Sequence, residues 1–416
     1  MSAGDLQTVV HDAAEVVVGK REGAWPGGDP GDELLAVHED AAVAVVDGRV
    51  AAVGPTEAVL REYPAENAET AYDASGRAVV PGFVDPHTHA VFAGDRSDEF
   101  EAKLRGKSYQ EILAEGGGIL RTVRAVREAT EADLVATLRE HLDAMLAYGT
   151  TTVEVKSGYG LDADTELKLL RAIDAAADDH PIDVVATFMG AHAVPEGVET
   201  DAYVDEVVDE QLPAVAEQGV AEFCDVFCED GVFGVEQSRR VLDAGREHGL
   251  TPKVHAEELA HVGGTRLAAD VRAASADHLL HSTREDVDAL VDAGVVPVVL
   301  PGTAFGLGAE YADAETMLAA GAPVAVATDF NPNCHSRSMG FAQSLCCVEM
   351  GLTPAQALVA ATEHAAMALD RPGTGRLDEG APADMAVVDA PSHVHVPYQF
   401  GENVVAATFK RGDRVA

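Results

Sequence analysis

The feature that most constrains the fold of this 416-residue chain is a regular alternation of short β-branched runs with longer helical patterns. Helical patterns fill the gaps between the runs, for example at 131–148 and 165–177. Such alternation is typical of parallel βα units, and eight units in about 300 residues predict a TIM barrel, the (β/α)8 fold. The eight runs occupy residues 78–85, 150–155, 183–189, 222–227, 252–256, 275–280, 295–300 and 323–328.

The alternative fold is an open, doubly wound parallel sheet. It is disfavoured because no GxGxxG motif follows the first run, and because polar residues of catalytic type follow many different runs. In a barrel such strand-end residues all face one mouth, which is where active sites lie. In chain order they are His87 and His89, Lys156 and Tyr159, His192, His255, His278 and Asp329.

Both ends of the chain have the pattern of short strands and turns. Asp47-Gly48, between two strand-like segments, is a strong two-residue hairpin signal. The tail is strand-like as well, with a second turn at Gly412-Asp413. We therefore predict two domains: a small composite β-sandwich from residues 1–78 with 380–416, and a barrel domain from residues 79–379.

The charge of the chain argues against two classes of partner. It has 71 acidic residues against 29 basic ones, a net charge of -42 that is spread over the whole sequence. Because phosphate surfaces repel such a chain, we expect neither nucleic acid nor an anionic membrane as a partner. A small-molecule substrate is expected instead. The acidic surface also predicts adaptation to high salt, where screening weakens its self-repulsion.

Cysteine usage and hydropathy predict a cytoplasmic location. The five cysteines are odd in number and form no CxxC pair, which argues against a disulfide framework. The sequence has no charged-then-apolar signal at its start and no apolar run approaching the roughly 18 residues of a membrane span.

Two histidines one residue apart, His87 and His89, end the first run, behind the turn former Pro86. Residues i and i+2 of an extended strand share a face, so both imidazoles can reach one metal ion. An isolated HxH is weak evidence, but His255 and Asp329 follow at later strand ends. Three imidazoles and one carboxylate suit a single Zn²⁺ or Fe³⁺ ion per subunit. The sequence therefore predicts a mononuclear metal hydrolase.

Two further residues are candidates for acid–base chemistry beside such a metal. Glu258 follows His255 closely enough to orient or deprotonate a bound water. His278 is a candidate for stabilising the developing oxyanion or for carrying protons to the leaving nitrogen. Each candidate also has an ordinary structural interpretation: Glu258 as a first-turn helix acid, Asp329 as a helix cap and His255 as a buried core histidine.

Lys156 is another charged residue at a predicted strand end. In some barrel hydrolases a carboxylated lysine on the fourth strand bridges two metal ions. Here Lys156 follows the second run, and the fourth run ends near Cys228-Glu229. A single metal ion is therefore predicted, with Lys156 in a structural position or near the substrate.

A series of longer motifs, uninterrupted in order from residue 79 to 332, resembles the amidohydrolase superfamily. Within it the motifs are most similar to the imidazolonepropionase family, which implies a metal-bearing barrel with a composite β-sandwich. The HTH motif marks only the superfamily, whereas KSGYGL and FMGAHAVP are much more specific. The motifs are PHTH at 86–89, FAGDR at 92–96, EVKSGYGL at 154–161, FMGAHAVP at 188–195, CDVFC at 224–228, HAEE at 255–258, ADH at 276–278, LPGT at 300–303 and ATDFNP at 327–332.

The resemblance implies hydrolysis of the cyclic amide of 4-imidazolone-5-propanoate to N-formimidoyl-L-glutamate, a step of histidine degradation. A metal-activated water would attack the ring carbonyl, and the ring C–N bond would break. The resemblance also implies a homodimer. The implied roles are metal ligation by His87, His89, His255 and Asp329, acid–base catalysis by Glu258 and His278, and substrate binding by Arg96, Tyr159, His192, Glu258 and Asn331.

Arg96 and the segment after Asn331 bear on the substrate. The planar guanidinium of Arg96 suits the propanoate group and places positive charge at the mouth of a strongly acidic protein. Many relatives follow Asn331-Pro332 with glycine and then serine or threonine, whereas Asn333 and Cys334 stand here. A thiol is a weak donor, so Asn333 and Cys334 are predicted to bind substrate through the backbone and not through a hydroxyl.

Two alternatives to this function remain open. Another amidohydrolase, such as a deaminase of purines or pyrimidines, would share the barrel and the ligands but has less need of an arginine aimed at an aliphatic carboxylate. A catalytically dead relative serving as a scaffold would be expected to lack a ligand or an acid–base residue, and none is missing here. The sequence does not distinguish zinc from iron, because a His₃Asp site accepts either.

Overall fold

The protein is described by a computed structural model that covers residues 6–24, 27, 34–107, 111–112 and 115–416. Its strands form two separate sheets of eight strands each. The strands are β1 Leu6–Lys20, β2 Leu35–Val46, β3 Arg49–Pro55, β4 Thr70–Asp73, β5 Ala78–Pro81, β6 Phe83–Asp85, β7 Thr150–Lys156, β8 Asp183–Ala191, β9 Phe223–Cys228, β10 Thr251–Ala256, β11 Ser275–His278, β12 Val296–Val299, β13 Ala325–Val326, β14 Met385–Val388, β15 Val405–Lys410 and β16 Asp413–Arg414.

Helices connect most of the strands from β7 to β14 and cover the barrel sheet. Two short segments of other helix types are also present, a 3-10 helix at Ala65–Asn67 and a π-helix at Val207–Gln211. The α-helices are α1 Thr56–Glu62, α2 Ser97–Leu104, α3 Ile119–Glu128, α4 Glu131–Ala147, α5 Ala163–Ala177, α6 Thr200–Glu206, α7 Leu212–Gln218, α8 Val235–Glu247, α9 Gly264–Asp270, α10 Arg284–Ala293, α11 Pro301–Leu307, α12 Ala314–Ala319, α13 Met339–Glu349, α14 Pro354–Ala360, α15 Glu363–Ala368 and α16 His395–Tyr398.

The barrel sheet consists of β6 to β13 in chain order, with every neighbouring pair parallel. Its first and last strands meet just beyond their ends, where Thr88 and Phe330 form a parallel bridge. Backbone hydrogen bonds of 2.9 Å from His89 N to Phe330 O and of 3.1 Å from Asp329 N to His87 O complete this junction. The predicted eight-stranded TIM barrel is confirmed, and it is nearly closed.

The first predicted run, 78–85, divides between the two sheets. Strand β5 pairs with β1 and β14 of the terminal sheet, whereas β6 begins the barrel. Gly82 separates them, and a Cβ atom at this position would overlap with the side chain of Thr151. One extended segment therefore joins the two sheets and leads directly to the histidine pair.

The terminal sheet combines strands from both ends of the chain. Its order is β16-β15-β14-β5-β1-β2-β3, with β4 beside β1. The Asp47-Gly48 hairpin is present, and φ values of 52° and 74° place both residues in the left-handed region that a type I′ turn requires. The prediction that both termini form one composite β domain is confirmed, and its strands form one mixed sheet. The domain limits at 78/79 and 379/380 stay a prediction.

The helices around the barrel begin at side-chain caps and bury apolar faces. Thr130 and Asp133 form a reciprocal capping box at the start of α4, and Thr283 and Asp286 form another at the start of α10. Leucines and alanines of these helices pack with the outer faces of the strands in one large cluster. Within the described residues, no helix is both long and apolar enough to cross a membrane.

Candidate active site

The four predicted metal ligands meet at the carboxyl end of the barrel. Each is almost fully buried, with an exposed fraction of 0% for His87 and of 3% for His89, His255 and Asp329. His89 Nε2 lies 3.2 Å from His255 Nε2. Asp329 Oδ1 lies 3.6 Å from His87 Nε2 and 3.8 Å from His89 Nε2. His89 and His255, which are 166 positions apart along the chain, therefore present their ligand atoms to one point.

This arrangement fits a metal ion. Burial lowers the pKa values of His87 and His89 well below the ordinary histidine range, so both imidazoles are neutral, the form that binds metals. His87 Nε2 is buried without a hydrogen-bond partner in the described part of the chain. Buried polar atoms in native proteins are nearly always satisfied, and a cation bound between these lone pairs would satisfy this one.

His278 and Glu258 lie against the ligand group. One ring nitrogen of His278 lies within 4.8 Å of a ring nitrogen of His87 and of a ring nitrogen of His255. Its Nε2 lies 3.7 Å from Glu258 Oε2. Burial raises the pKa of Glu258 to about 7 and lowers the pKa of His278 to about 3. A carboxyl group whose pKa is near neutral both accepts and releases protons readily, which suits a general acid–base residue.

Tyr159 and His192 form an aromatic wall beside the ligands. The His192 ring stacks on His89 with a centroid distance of 4.7 Å and an interplanar angle of 16°. The Tyr159 ring lies 5.3 Å from His192 and 5.8 Å from His89. His192 Nδ1 is hydrogen-bonded at 3.0 Å to the carbonyl oxygen of Gly158, which fixes the ring plane.

Arg96 lies directly before α2, and its side chain is only 8% exposed. Its Nε donates to Glu99 Oε2 at 2.9 Å, and Glu99 in turn accepts a hydrogen bond from the Gly118 N–H. Burial raises the pKa of Tyr159, with a further rise from Asp329 and an opposing effect from Arg96. In the structure Glu99 balances the charge of the Arg96 guanidinium.

The loop after β13 is shaped by Asn331. Its side chain donates to the carbonyl oxygen of Asp329 at 2.8 Å and accepts from the N–H groups of Asn333 and Cys334 at 2.7 and 3.0 Å. Asn333 Oδ1 accepts a 2.6 Å hydrogen bond from Lys103 Nζ. The Cys334 thiol lies 3.5 Å from Thr328 O, and burial raises its pKa to about 12. Substrate contact by Asn331, Asn333 and Cys334 stays a prediction.

Sequence reasoning named Lys156 but missed the four charged residues that are fully buried with it inside the barrel. We call these five residues the buried charge network: Glu154, Lys156, Asp225, Lys253 and Asp277. Lys156 Nζ lies 2.7 Å from Asp225 Oδ2 and 2.8 Å from Glu154 Oε2, and Lys253 Nζ also lies 2.8 Å from Glu154 Oε2. Burial lowers the pKa of Lys156, but the neighbouring carboxylates outweigh this effect and raise it above the ordinary value.

A signal for this network was present in the sequence. In β7, Glu154 and Lys156 alternate with valine. In β10, Val254 separates Lys253 from His255, so Lys253 and His255 are alternate residues. Alternate residues of a strand share a face, so charges at these positions point into the barrel together with the ligand histidine. Charged residues within strands that are otherwise apolar therefore marked the network.

Comparison with protein families agrees with this site. Residues 78–415 match the amidohydrolase family, and residues 41–65 match the bacterial imidazolonepropionase-like composite domain. The barrel, the cluster of three imidazoles and a carboxylate, and the family match together define a metal-dependent hydrolase of the amidohydrolase class.

Comparison with individual curated proteins and solved structures shows which family of amidohydrolases the chain belongs to. The chain is 70% identical to the imidazolonepropionase of Haloarcula marismortui, covering 99% of this chain and 96% of that protein. It is 63% identical to the imidazolonepropionase of Halobacterium salinarum, covering 98% and 97%. Escherichia coli guanine deaminase has a TM-score of 0.74 at 16% identity, covering 98% and 99%, and therefore shows the fold alone. The chain belongs to the imidazolonepropionase family of amidohydrolases. Both of these relatives come from halophilic archaea, which agrees with the predicted adaptation to high salt.

Proposed function

We propose that the protein hydrolyses the cyclic amide of 4-imidazolone-5-propanoate to N-formimidoyl-L-glutamate in histidine degradation. The observation that carries this proposal is the 70% identity, over 99% of the chain, to a protein named imidazolonepropionase. Water oxygen adds to the ring carbonyl carbon, the bond from that carbon to the ring nitrogen breaks, and the nitrogen takes up a proton. The carbonyl carbon becomes the carbon of the new carboxylate group, and both parts of the opened ring stay in one product molecule.

His87, His89, His255 and Asp329 are proposed to hold one Zn²⁺ or Fe³⁺ ion per subunit. When bound, such an ion supplies Lewis acidity and lowers the pKa of a coordinated water to about 7. The 3.2 Å separation of two ring nitrogens and the unpartnered Nε2 of His87 support this assignment. Zinc and iron are distinguished by elemental analysis of the purified protein.

Glu258 is proposed to take the proton of the attacking water at its carboxylate, which is 14% exposed. The raised pKa of about 7 makes this carboxyl able to give the proton up again within the same catalytic cycle. His278 is proposed to pass that proton to the leaving ring nitrogen or to donate to the developing oxyanion, and the 3.7 Å distance from its Nε2 to Glu258 Oε2 supports this role.

Arg96 is proposed to bind the propanoate group, with Tyr159 and His192 packing against the ring of the substrate. The pairing of Arg96 with Glu99 supports this role, because a buried guanidinium held by one carboxylate has further N–H donors for a second. Asn331, Asn333 and Cys334 complete the proposed binding site through the loop after β13. We also predict that the protein is a homodimer and lies in the cytoplasm.

The proposal is tested with purified protein in molar KCl, by following the loss of imidazolonepropionate absorbance together with the appearance of formimidoylglutamate. The unchanged enzyme is compared with Arg96→Ala and His278→Ala, and with Arg284→Ala as a surface control. We expect turnover that collapses in the first two variants and persists in the control. Absence of turnover in unchanged protein with metal bound would overturn the proposed substrate.

A further inference from the structure

Two of the proposed ligand histidines have a buried carboxylate behind the ring. His87 Nδ1 is hydrogen-bonded to Asp277 Oδ2 at 2.6 Å, and His255 Nδ1 lies 3.0 Å from Asp225 Oδ2. Both carboxylates have an exposed fraction of 0%. These contacts lie on the side of each ring that faces away from the other ligands, so they leave the Nε2 atoms free.

A carboxylate beside one ring nitrogen favours a proton on that nitrogen. A neutral imidazole has one N–H and one lone pair, and a carboxylate opposite Nδ1 stabilises the tautomer with the proton on Nδ1. The lone pair is then on Nε2, the atom of His87 that lies 3.6 Å from Asp329 and the atom of His255 that lies 3.2 Å from His89. A lone pair on Nε2 is the one that can bind a metal ion at the point where the ligand atoms meet.

His89 differs from the other two histidines. Among the described residues its ion-pair contact is with Asp329 and is made through Nε2, and no carboxylate forms an ion pair with its Nδ1. Its ring is instead held by stacking on His192 at 4.7 Å. The carboxylate contacts are thus a specific feature of His87 and His255.

Lys156 connects the two carboxylates. Its Nζ lies 2.7 Å from Asp225 Oδ2 and 3.8 Å from Asp277 Oδ2, the same two oxygens that face the histidines. Buried carboxylates without a cation are strongly unfavourable, so a fully buried lysine between them keeps both charged groups in place. Lys253 extends the arrangement, because its Nζ donates to the carbonyl oxygen of Pro86, the residue before His87, at 2.8 Å.

We propose that Asp277 and Asp225 are positioning residues of the metal centre, and that Lys156 is their shared counter-cation. Each aspartate holds one histidine in the tautomer and ring orientation that direct Nε2 to the metal. This inference rests on the ligand set of the proposed function and extends it, since it gives Lys156 a role at the site without metal contact.

The test measures metal binding in Asp277→Asn and Asp225→Asn, with Co²⁺ as the probe metal and a chelator as competitor. An asparagine that donates its amide N–H to Nδ1 favours the opposite tautomer and moves the ring proton to Nε2. We expect each variant to bind Co²⁺ about 10- to 100-fold more weakly and to shift the visible absorption of the bound ion. The value of kcat should fall, with KM changing little, because neither residue is proposed to touch substrate.

Glu154→Gln is the matched control. It removes one buried carboxylate that contacts the same lysine, but Glu154 makes no ion pair with a histidine in the described structure. We expect it to lower stability and to leave Co²⁺ affinity and absorption unchanged. Equal weakening in all three variants would overturn the proposal in favour of a general electrostatic effect, and so would unchanged Co²⁺ binding in both aspartate variants.

A measurement on the unchanged enzyme keeps the proposal falsifiable where a variant fails to fold. In zinc-loaded protein with ¹⁵N-labelled histidine, His87 and His255 should each show a slowly exchanging proton on Nδ1 and a metal-bound Nε2. A proton on Nε2 of either ring would overturn the proposal. Failure of the unchanged protein to bind any metal would instead overturn the proposed function, so the two failures are distinguishable.

Discussion

The terminal sheet and the barrel sheet each contain eight strands, yet they bury different side chains. The terminal sheet packs valine, alanine and phenylalanine, including Val43, Val387 and Phe409 with 0% or nearly 0% exposure. The barrel interior buries Lys156 and Lys253 as completely, together with three carboxylates.

This difference in buried side chains suggests that the terminal sheet contributes mainly to stability and the barrel interior mainly to catalysis. Apolar burial contributes about 25 cal/mol per Å², whereas buried ion pairs often contribute nothing net, because desolvation offsets their attraction. The barrel nevertheless places its charges directly behind the ligand histidines, where they orient rings. Substitutions of the barrel groups that contact the ligand histidines should therefore affect metal binding and rate, and those in the terminal sheet should affect stability alone.

The largest effect is expected from removing a ligand. His87→Ala should lose the metal ion and at least about 10³-fold in kcat/KM, because a bound metal supplies several kcal/mol of transition-state stabilisation. Elemental analysis and steady-state kinetics measure both effects. His261→Ala removes a histidine that is paired with Asp286 away from the ligand group and serves as the control. A His87→Ala protein with full metal content would contradict the ligand assignment.

The next largest effect is expected from Glu258→Gln, which removes the proposed general base. Loss of a general base typically costs about 10²- to 10⁴-fold in kcat, while the metal content should stay that of the unchanged protein because Glu258 is not a proposed ligand. Steady-state kinetics with elemental analysis of the same sample checks this combination. A rate within twofold of the unchanged enzyme would remove Glu258 from the mechanism.

Phe409→Ala tests the terminal sheet. The ring is fully buried and meets Tyr72 edge-on at a centroid distance of 5.5 Å, so its loss should lower the free energy of unfolding by about 3–5 kcal/mol. Urea unfolding in molar KCl measures the free energy of unfolding. Phe305→Ala serves as the control, because Phe305 is 60% exposed. Folded Phe409→Ala protein should keep its kcat and metal affinity, and a loss of either would break the proposed separation.

His141 should make stability pH-dependent. Burial lowers its pKa from 6.5 to about 4, with its Nδ1 hydrogen-bonded to Ala90 O at 2.9 Å. Because the unfolded chain binds a proton more readily, this stability is complete above pH 6.5 and falls as the pH drops towards 4. The loss is about 2 kcal/mol at pH 5. Urea unfolding at pH 7 and pH 5 should show a smaller difference for His141→Gln, and an equal difference would refute the assignment.

Arg284→Ala should have the smallest effect. The 2.8 Å pair with Asp288 lies on the surface of α10, with both side chains 51% exposed. Exposed helical pairs contribute at most about 0.5 kcal/mol, and molar salt screens them further. Urea unfolding at low and high KCl measures the difference, and a loss above about 1 kcal/mol would show that surface pairs matter more here than expected.

Much of the fold and of the candidate site was predictable because it depends on local patterns. The β-branched runs and the amphipathic segments between them predicted eight βα units, and parallel strands bring their carboxyl ends to one edge. His87, His89, His255 and Asp329 each follow such a run, so their convergence at one mouth followed from the fold.

The division of the run 78–85 between two sheets was not predictable from that pattern. All of its residues are apolar up to Val84, and an apolar run does not indicate which sheet its strands join. The pairing of Arg96 with Glu99 on the first turns of α2 was likewise visible only in three dimensions.

The amino-acid sequence by itself determined the barrel, the composite sheet and the set of residues able to bind metal, because periodicity and residue type are local properties. Only the tertiary structure decided which charged groups support those residues. Strand register sets His255 opposite Asp277, and the His87–Asp277 contact joins residues 190 positions apart. Such contacts depend on the stagger of the closed barrel, which no single segment of the chain encodes.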